Sequence, residues 1–207
     1  MEKNPWEKVE LSDYENHMSQ SDVYQLQTLD TIMKSQFSAY PVTSVAILGV
    51  AGGNGLGNLV DIPTITDIYG IDINASYLAA SASRHPKLGG RYATVLADVR
   101  DENSRLPHVD LVVANLFIEY VGCTNFGNAI VRINPSYVSC VIQIDPADSF
   151  VSDSPYTARL EILDSVHASV DPSELRETMR KLGYTEGDIT STTLPNGKIF
   201  LRLDFCR

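Results

Sequence analysis

Carboxylates and amides placed at the ends of apolar segments are the residues of this chain best suited to chemistry. The segment Ser44 to Leu56, SVAILGVAGGNGL, runs from an apolar strand into a cluster of glycines at 49, 52, 53, 55 and 57. Glycine there admits φ > 0 and lets a ligand approach the main chain with no Cβ in the way. A helix opening behind it would offer its free N–H groups to an anion. The next apolar segment, Asp67 to Ile73, reads as a second strand with Asp72 at its tip, where a ribose diol needs two acceptors. A third strand, Tyr92 to Ala97, leads to Asp98, and a fourth, Val109 to Ala114, leads to Asn115. Ligands of open parallel sheets bind outside the carboxyl ends of the strands, so these groups predict one row of contacts to a nucleotide-type cofactor. Glu119 follows in the apolar, aromatic run Leu116 to Tyr120, a setting that suits a general base or a partner for a cationic substrate.

The elements that must carry these groups follow from hydrophobic period and cap residues. Ser12 with Glu15 makes a capping box for a short first helix. Ser21 opens a longer one whose Val23, Leu26, Leu29, Met33 and Phe37 share a face, and Pro41 closes it. Strands at 44–49, 67–72, 92–97, 109–114 and 137–144 are interleaved with helices from about 55, over 75–84 and near 124–133; Asn74 opens the second of these and Pro86 stops it. Such alternation predicts a parallel sheet with right-handed crossovers. Ser154-Pro155 and Asp171-Pro172 are cap-plus-proline helix starts, and Gly183 ends the second helix. Tyr184 to Thr193 and Lys198 to Phe205, joined by Leu194-Pro195-Asn196-Gly197, form an antiparallel pair. The expectation is an α/β fold: a Rossmann-like parallel sheet flanked by helices on both faces, with a C-terminal antiparallel hairpin and an N-terminal helical lid. Residues 1–40 form the lid and 41–207 a single α/β domain.

The series GVAGGNG, GIDIN, LADVRD and DLVVANLFIEYV resembles the motif series of class I S-adenosylmethionine-dependent methyltransferases, over roughly Ser44 to the C-terminus. The closing hairpin is similar to that family's last strands. The resemblance implies S-adenosylmethionine as cofactor, with Gly49, Ala51, Gly53 and Gly55 at the family's loop positions. It places Asp72 and Ile73 at the ribose, Asp98 at the adenine amino group, the Val99 N–H at the ring, and Asn115 and Leu116 beside the methyl group. Gly49 stands where the family usually has an acidic residue; Ala51 replaces the first of three glycines, a change tolerated where φ is negative. Tyr14 is expected to place a π face near the sulfonium, and Met18 to cover the adenosine. The donor is already activated, so the protein mainly aligns the reactants and excludes water. A base is needed only for a protonated acceptor, and Glu119 is the candidate. His17, Tyr120, Tyr156 and His167 are candidate acceptor-binding residues. Asn115-Leu116-Phe117-Ile118 lacks the Asn/Asp-Pro-Pro-aromatic sequence of families that methylate amines on nucleobases or glutamine.

Composition narrows the partners. At 207 residues and 43% hydrophobic content the chain suits one α/β domain. A net charge of −10 argues against a nucleic-acid substrate, which needs a concentrated basic surface; Arg84, Lys87, Arg91, Arg100 and Arg105 are only a loose enrichment. Three separated cysteines without C-x-x-C suggest neither a disulfide framework nor a zinc site. With no apolar leader and no run of about 18 apolar residues, a cytoplasmic protein with a small-molecule substrate, no nucleic acid, no membrane and no metal is expected. Oligomeric state and acceptor identity stay open. Two alternatives use the same residues. A nicotinamide-dependent oxidoreductase would share the glycine turn and Asp72, but Asp98, the hairpin and the Asn at position 58 that ends GNGLGN speak against it. A non-catalytic S-adenosylmethionine-binding module would fit Gly49 and Ala51.

Overall fold

The computed structural model describes residues 4–145 and 155–207; the expected cap Ser154 lies outside them. The strands are β1 Ser44–Leu48, β2 Asp67–Asp72, β3 Tyr92–Leu96, β4 Leu111–Asn115, β5 Tyr137–Ile144, β6 Thr185–Thr193 and β7 Ile199–Cys206. They form one sheet in the order β3-β2-β1-β4-β5-β7-β6. β1 to β5 pair in parallel, while β7 runs antiparallel to both β5 and β6. The chain winds outward in both directions from the β1–β4 boundary, and that reversal opens a crevice at the carboxyl ends of these strands.

The helices are α1 Leu11–Met18, α2 Gln25–Ser38, α3 Ala75–Arg84, α4 Ile118–Ile133, α5 Thr157–Leu160 and α6 Pro172–Lys181. β1 shows why its sequence is continuously apolar. Ala46 and Leu48 face a core built with Phe126 and Ile130 of α4 and Leu175 and Met179 of α6. Val45 and Ile47 face the opposite layer, with Met33 and Phe37 of α2, Leu56, Leu59 and Leu78. A central parallel strand is buried on both sides and so loses the apolar–polar alternation. β6, at the sheet edge, is exposed along its whole length and carries Glu186 and Asp188, charges that discourage edge pairing.

Side-chain caps open α3 and α6. Asn74 Oδ1 accepts from the N–H groups of Ser76 (3.0 Å) and Tyr77 (3.4 Å), opening α3. Asp171 accepts from Ser173 N at 2.8 Å and opens α6 ahead of Pro172. Gly183 takes φ 84° behind that helix.

Four expectations are corrected. α1 begins at Leu11 behind Glu10, which makes no side-chain cap, so Ser12 lies inside the helix. α2 begins at Gln25 behind Tyr24 at φ 53°; Ser21 belongs to the preceding turn, which the fully buried Val23 anchors. In place of an α-helix from about 55, Leu56–Asp61 forms 3-10 turns. Leu56 and Leu59 are both fully buried, and at three residues per turn a spacing of three stacks them directly on one face. α4 starts at Ile118, earlier than expected, and breaks at Gly122 (φ 76°, ψ 157°). The short turn ahead of that break carries Glu119.

The chain ahead of α2 is pinned across the carboxyl end of the sheet. Tyr77 OH donates to Val9 O at 2.8 Å and Asn74 Nδ2 to Trp6 O at 3.0 Å. α2 itself, through Met33 and Phe37, is part of the core.

Candidate functional site

β1, β2 and the loop behind β3 end in Gly49, Asp72 and Asp98, which with Asn115, the last residue of β4, border an open cleft of about 740 Å³. Asp72 is tied to its own loop and to the glycine loop. Its Oδ2 accepts from Ala51 N at 2.9 Å and its Oδ1 from Asn74 N at 2.8 Å. Burial raises its pKa above the ordinary aspartate value, and the backbone donors only partly offset this. Each carboxylate oxygen retains lone-pair capacity for a further donor.

The glycine loop divides. Gly49 (φ 68°) and Ala51 line the cleft. Gly53 (φ 88°) and Gly55 (φ 79°) do not: an added Cβ would meet the His85 ring at 2.9 Å and Met33 Sδ at 2.5 Å. Their conformational freedom serves the turn and its packing, which corrects their expected place against the cofactor. Ala51 takes φ 46°, so the condition of a negative φ under which an alanine is readily tolerated is not met there. The bond from its N–H to Asp72 holds it in the left-handed region.

Asp98 faces the same cleft but is clasped by Arg100, with Nε–Oδ1 at 3.0 Å and Nη2–Oδ2 at 2.6 Å. Burial alone would raise its pKa; the Arg100 side chain and N–H outweigh this and leave it below the ordinary value. Val99 and Ile73 sit alongside. Asn115 borders the cleft with its amide already used: it donates to Gln36 Oε1 and accepts from Gln36 Nε2, both at 2.9 Å. Gln36 also reaches Ser139 Oγ at 2.9 Å, and Ser139 donates to Asp204 at 2.5 Å, so a buried polar chain runs from the site to β7.

Beside the cleft lies a second cavity of about 580 Å³, whose walls include Trp6, Tyr14, Tyr120 and Leu116, shared with the cleft, and His17, Met18, Gln25, Glu119 and Gln143. Glu119 is only 3% exposed. Its Oε1 accepts from Gln143 N at 2.8 Å, while Oε2 is buried without a hydrogen-bond partner. Burial pushes its pKa up to about 7, with the Asp145 charge adding a smaller push. Trp6 stands edge-on to Tyr14 (centroids 5.4 Å apart) and to Tyr120 (4.9 Å).

Of the expected acceptor residues, His17 and Tyr120 line this cavity. His167 is not among its lining residues and meets Tyr120 edge-on, with ring centroids 5.5 Å apart. Tyr156 precedes α5 and lines neither cavity. Met18 lies in this second cavity and not in the cleft, packed among Leu29, Val141 and Phe200. Trp6, Tyr77, Phe117 and Arg100 were not anticipated at the cleft. Arg100 had a signal, its spacing of two from Asp98; Trp6 had only its rarity as the single tryptophan.

Among the described residues no helix is long and apolar enough to cross a membrane, and no cluster of metal-ligating residues is present. No protein-family model matches the sequence, and no curated protein matches it. Solved structures do. Magnesium protoporphyrin IX methyltransferase from Synechocystis PCC 6803, with bound SAH, superposes with a TM-score of 0.70 at 12% identity, over 95% of this chain and 93% of that one. Geranyl diphosphate C-methyltransferase from Streptomyces coelicolor A3(2) gives 0.65 at 9% identity, over 90% and 83%. The [4+2]-cyclase SpnF gives 0.63 at 12% identity, over 87% of this chain and 80% of that one. A shared fold thus hosts more than one chemistry. With its 3-2-1-4-5-7-6 sheet, the chain has the fold of the class I S-adenosylmethionine-dependent methyltransferases.

Proposed function

We propose that the protein is an S-adenosylmethionine-dependent methyltransferase acting on a small molecule. The observation that carries this reading is Asp72 at the end of β2, beside the topological reversal of the sheet, half-buried and with acceptor capacity left on both oxygens. The residues present fit the cofactor. Asp72 is suited to the ribose diol, the Asp98 to Arg100 turn to the adenine edge, and the backbone at Gly49 and Ala51, which lines the cleft, to the amino-acid end. When bound, S-adenosylmethionine supplies a methyl group already activated on a sulfonium sulfur.

The chain's own part is then positioning, exclusion of water and proton handling. Trp6, Tyr14 and Tyr120 wall both the cleft and the second cavity, where the methyl donor and the acceptor would meet. Residues 4–18 act as the cover. Glu119 holds or takes a proton at Oε2, and its pKa near 7 suits that task at neutral pH. Calorimetric titration with S-adenosylhomocysteine and with NAD tests the cofactor, and turnover on a metabolite panel tests catalysis. Binding of NAD in preference to S-adenosylhomocysteine would refute this reading.

A further inference from the structure

We propose that the second cavity is a binding site for the ammonium group of an aliphatic amine, held between the Glu119 carboxylate and the rings of Trp6, Tyr14 and Tyr120, and that this amine is the methyl acceptor. The inference rests on the methyltransferase reading above and names its substrate class.

Three observations converge on it. Glu119 Oε2 is buried and lacks a partner, whereas Oε1 is satisfied by Gln143 N. A buried polar atom left unpaired is costly in either protonation state, so a ligand that brings an N–H donor relieves a defect already present in the protein. Trp6, Tyr14 and Tyr120, in edge-to-face contact at 84° and 82°, line the same cavity as Glu119, and an aromatic wall shared with a carboxylate favours a cation over a neutral or anionic group. The remaining polar wall is satisfied internally: Gln25 Nε2 donates to Gln143 Oε1 at 2.6 Å, and Gln143 Nε2 to Asp145 at 2.9 Å. Lys198 pairs with Asp145 at 3.3 Å, so that carboxylate is already matched by a cation. An anionic substrate would meet an uncompensated carboxylate.

Methyl transfer to such a group balances with this residue. The bound ammonium first gives one proton to Glu119 Oε2, which frees the nitrogen lone pair; the carbon–nitrogen bond then forms as the donor's carbon–sulfur bond breaks with its electron pair on sulfur, and the product is the N-methylated ammonium.

Burial places the Glu119 pKa within the span from pH 8 to pH 5.5, and it acts on the neighbouring groups as well. On α1, burial raises the Tyr14 hydroxyl and lowers His17. On α4, burial raises Tyr120 and brings Cys123 up to about 11. Burial also raises Cys140 on β5. Behind Tyr120, His167 is pushed down to about 4; Lys198, lowered by burial, is held by Asp145. Occupancy by a cation should therefore follow the ionisation of Glu119.

Trp6, the single tryptophan, reports on the cavity directly. Its fluorescence is titrated with n-butylammonium, n-butanol and butyrate in an amine-free buffer at fixed ionic strength. The expected result at pH 8 is a saturable change with n-butylammonium, at least about tenfold tighter than with either isostere, and a loss of at least about tenfold in E119Q. In the wild type the same affinity should fall at least about tenfold between pH 8 and pH 5.5. The pH series decides the matter even if E119Q does not fold. Equal saturation by n-butanol or butyrate, no saturation by any probe, or a pH-independent response overturns the proposal. S-adenosylhomocysteine is titrated separately. Its binding without an ammonium response rejects only the substrate class, whereas an ammonium response without S-adenosylhomocysteine binding rejects the methyltransferase reading.

Discussion

Asp72 Oδ2 accepts the backbone N–H of Ala51 at 2.9 Å, so the tip of β2 holds the glycine loop in place while it borders the cleft. One carboxylate thereby shapes the loop and offers itself to a ligand. Asp72→Ala removes both capacities. S-adenosylhomocysteine affinity should fall at least about tenfold, since hydrogen bonds to a charged group are worth about 1.5–3 kcal/mol. Calorimetry on the folded variant measures this, and an unchanged affinity would remove Asp72 from the cofactor site.

The left-handed conformation of Ala51 reverses the usual sign of an alanine-to-glycine change. At φ 46° the methyl group is strained by about 1–2 kcal/mol, more than the extra chain entropy of glycine costs. Ala51→Gly should raise the melting temperature and leave S-adenosylhomocysteine binding intact. Gly49→Ala should do the opposite, because it adds a Cβ at φ 68° within 2.7 Å of the Phe117 ring. A loss of about 1–3 kcal/mol in urea denaturation is expected.

Glu119 makes stability depend on pH in a direction opposite to that of most carboxylates. Its folded pKa, about 7, lies above its ordinary 4.5. Below 4.5 the group is neutral whether the chain is folded or not, and nothing is lost. As pH rises through 7 the folded state must carry a buried, half-paired charge, and the advantage disappears. Wild type and Glu119→Gln should match in stability near pH 4, and the variant should be more stable by about 2–3 kcal/mol at pH 8. Parallel pH–stability curves for the two proteins would refute the assignment.

If residues 4–18 are the proposed cover, their coupling to ligand is measurable through their tethers, which include the Tyr77–Val9 and Asn74–Trp6 hydrogen bonds and the Arg84–Glu15 and Arg159–Asp13 ion pairs. Tyr77→Phe deletes the 2.8 Å bond to Val9 O, and amide exchange over residues 9–18 should quicken. In the wild type, S-adenosylhomocysteine should slow exchange around Tyr14 to Met18. No change in that segment would refute the cover.

Asp204 is fully buried and binds Arg202 at 2.6 Å, the Tyr40 hydroxyl at 2.7 Å and Ser139. Asp204→Ala strands the Arg202 guanidinium in the interior, at a cost of about 3–5 kcal/mol. Tyr40→Phe removes one bond to a charge and should cost about 1.5–3 kcal/mol. Urea denaturation that ranks Tyr40→Phe as the worse of the two would contradict this ordering.

By itself the sequence determined the strands, their parallel alternation with helices, the closing hairpin, and the line of Gly49, Asp72, Asp98 and Asn115 at the carboxyl ends. These follow from local causes: apolar runs mark β1 to β5, Asn74 and Asp171 cap their own helices, and Leu194 to Gly197 turns the chain. Only the tertiary structure decided which of these groups are free to act. Asn115 is consumed by Gln36, 79 positions away, and Gly53 and Gly55 face His85 and Met33. Trp6 enters the site because Asn74 binds its carbonyl. Glu119 becomes a buried, half-satisfied carboxylate because α4 breaks at Gly122 and the Gln143 N–H meets one of its two oxygens. Such pairings depend on packing between residues remote in sequence, and periodicity and capping carry no record of them.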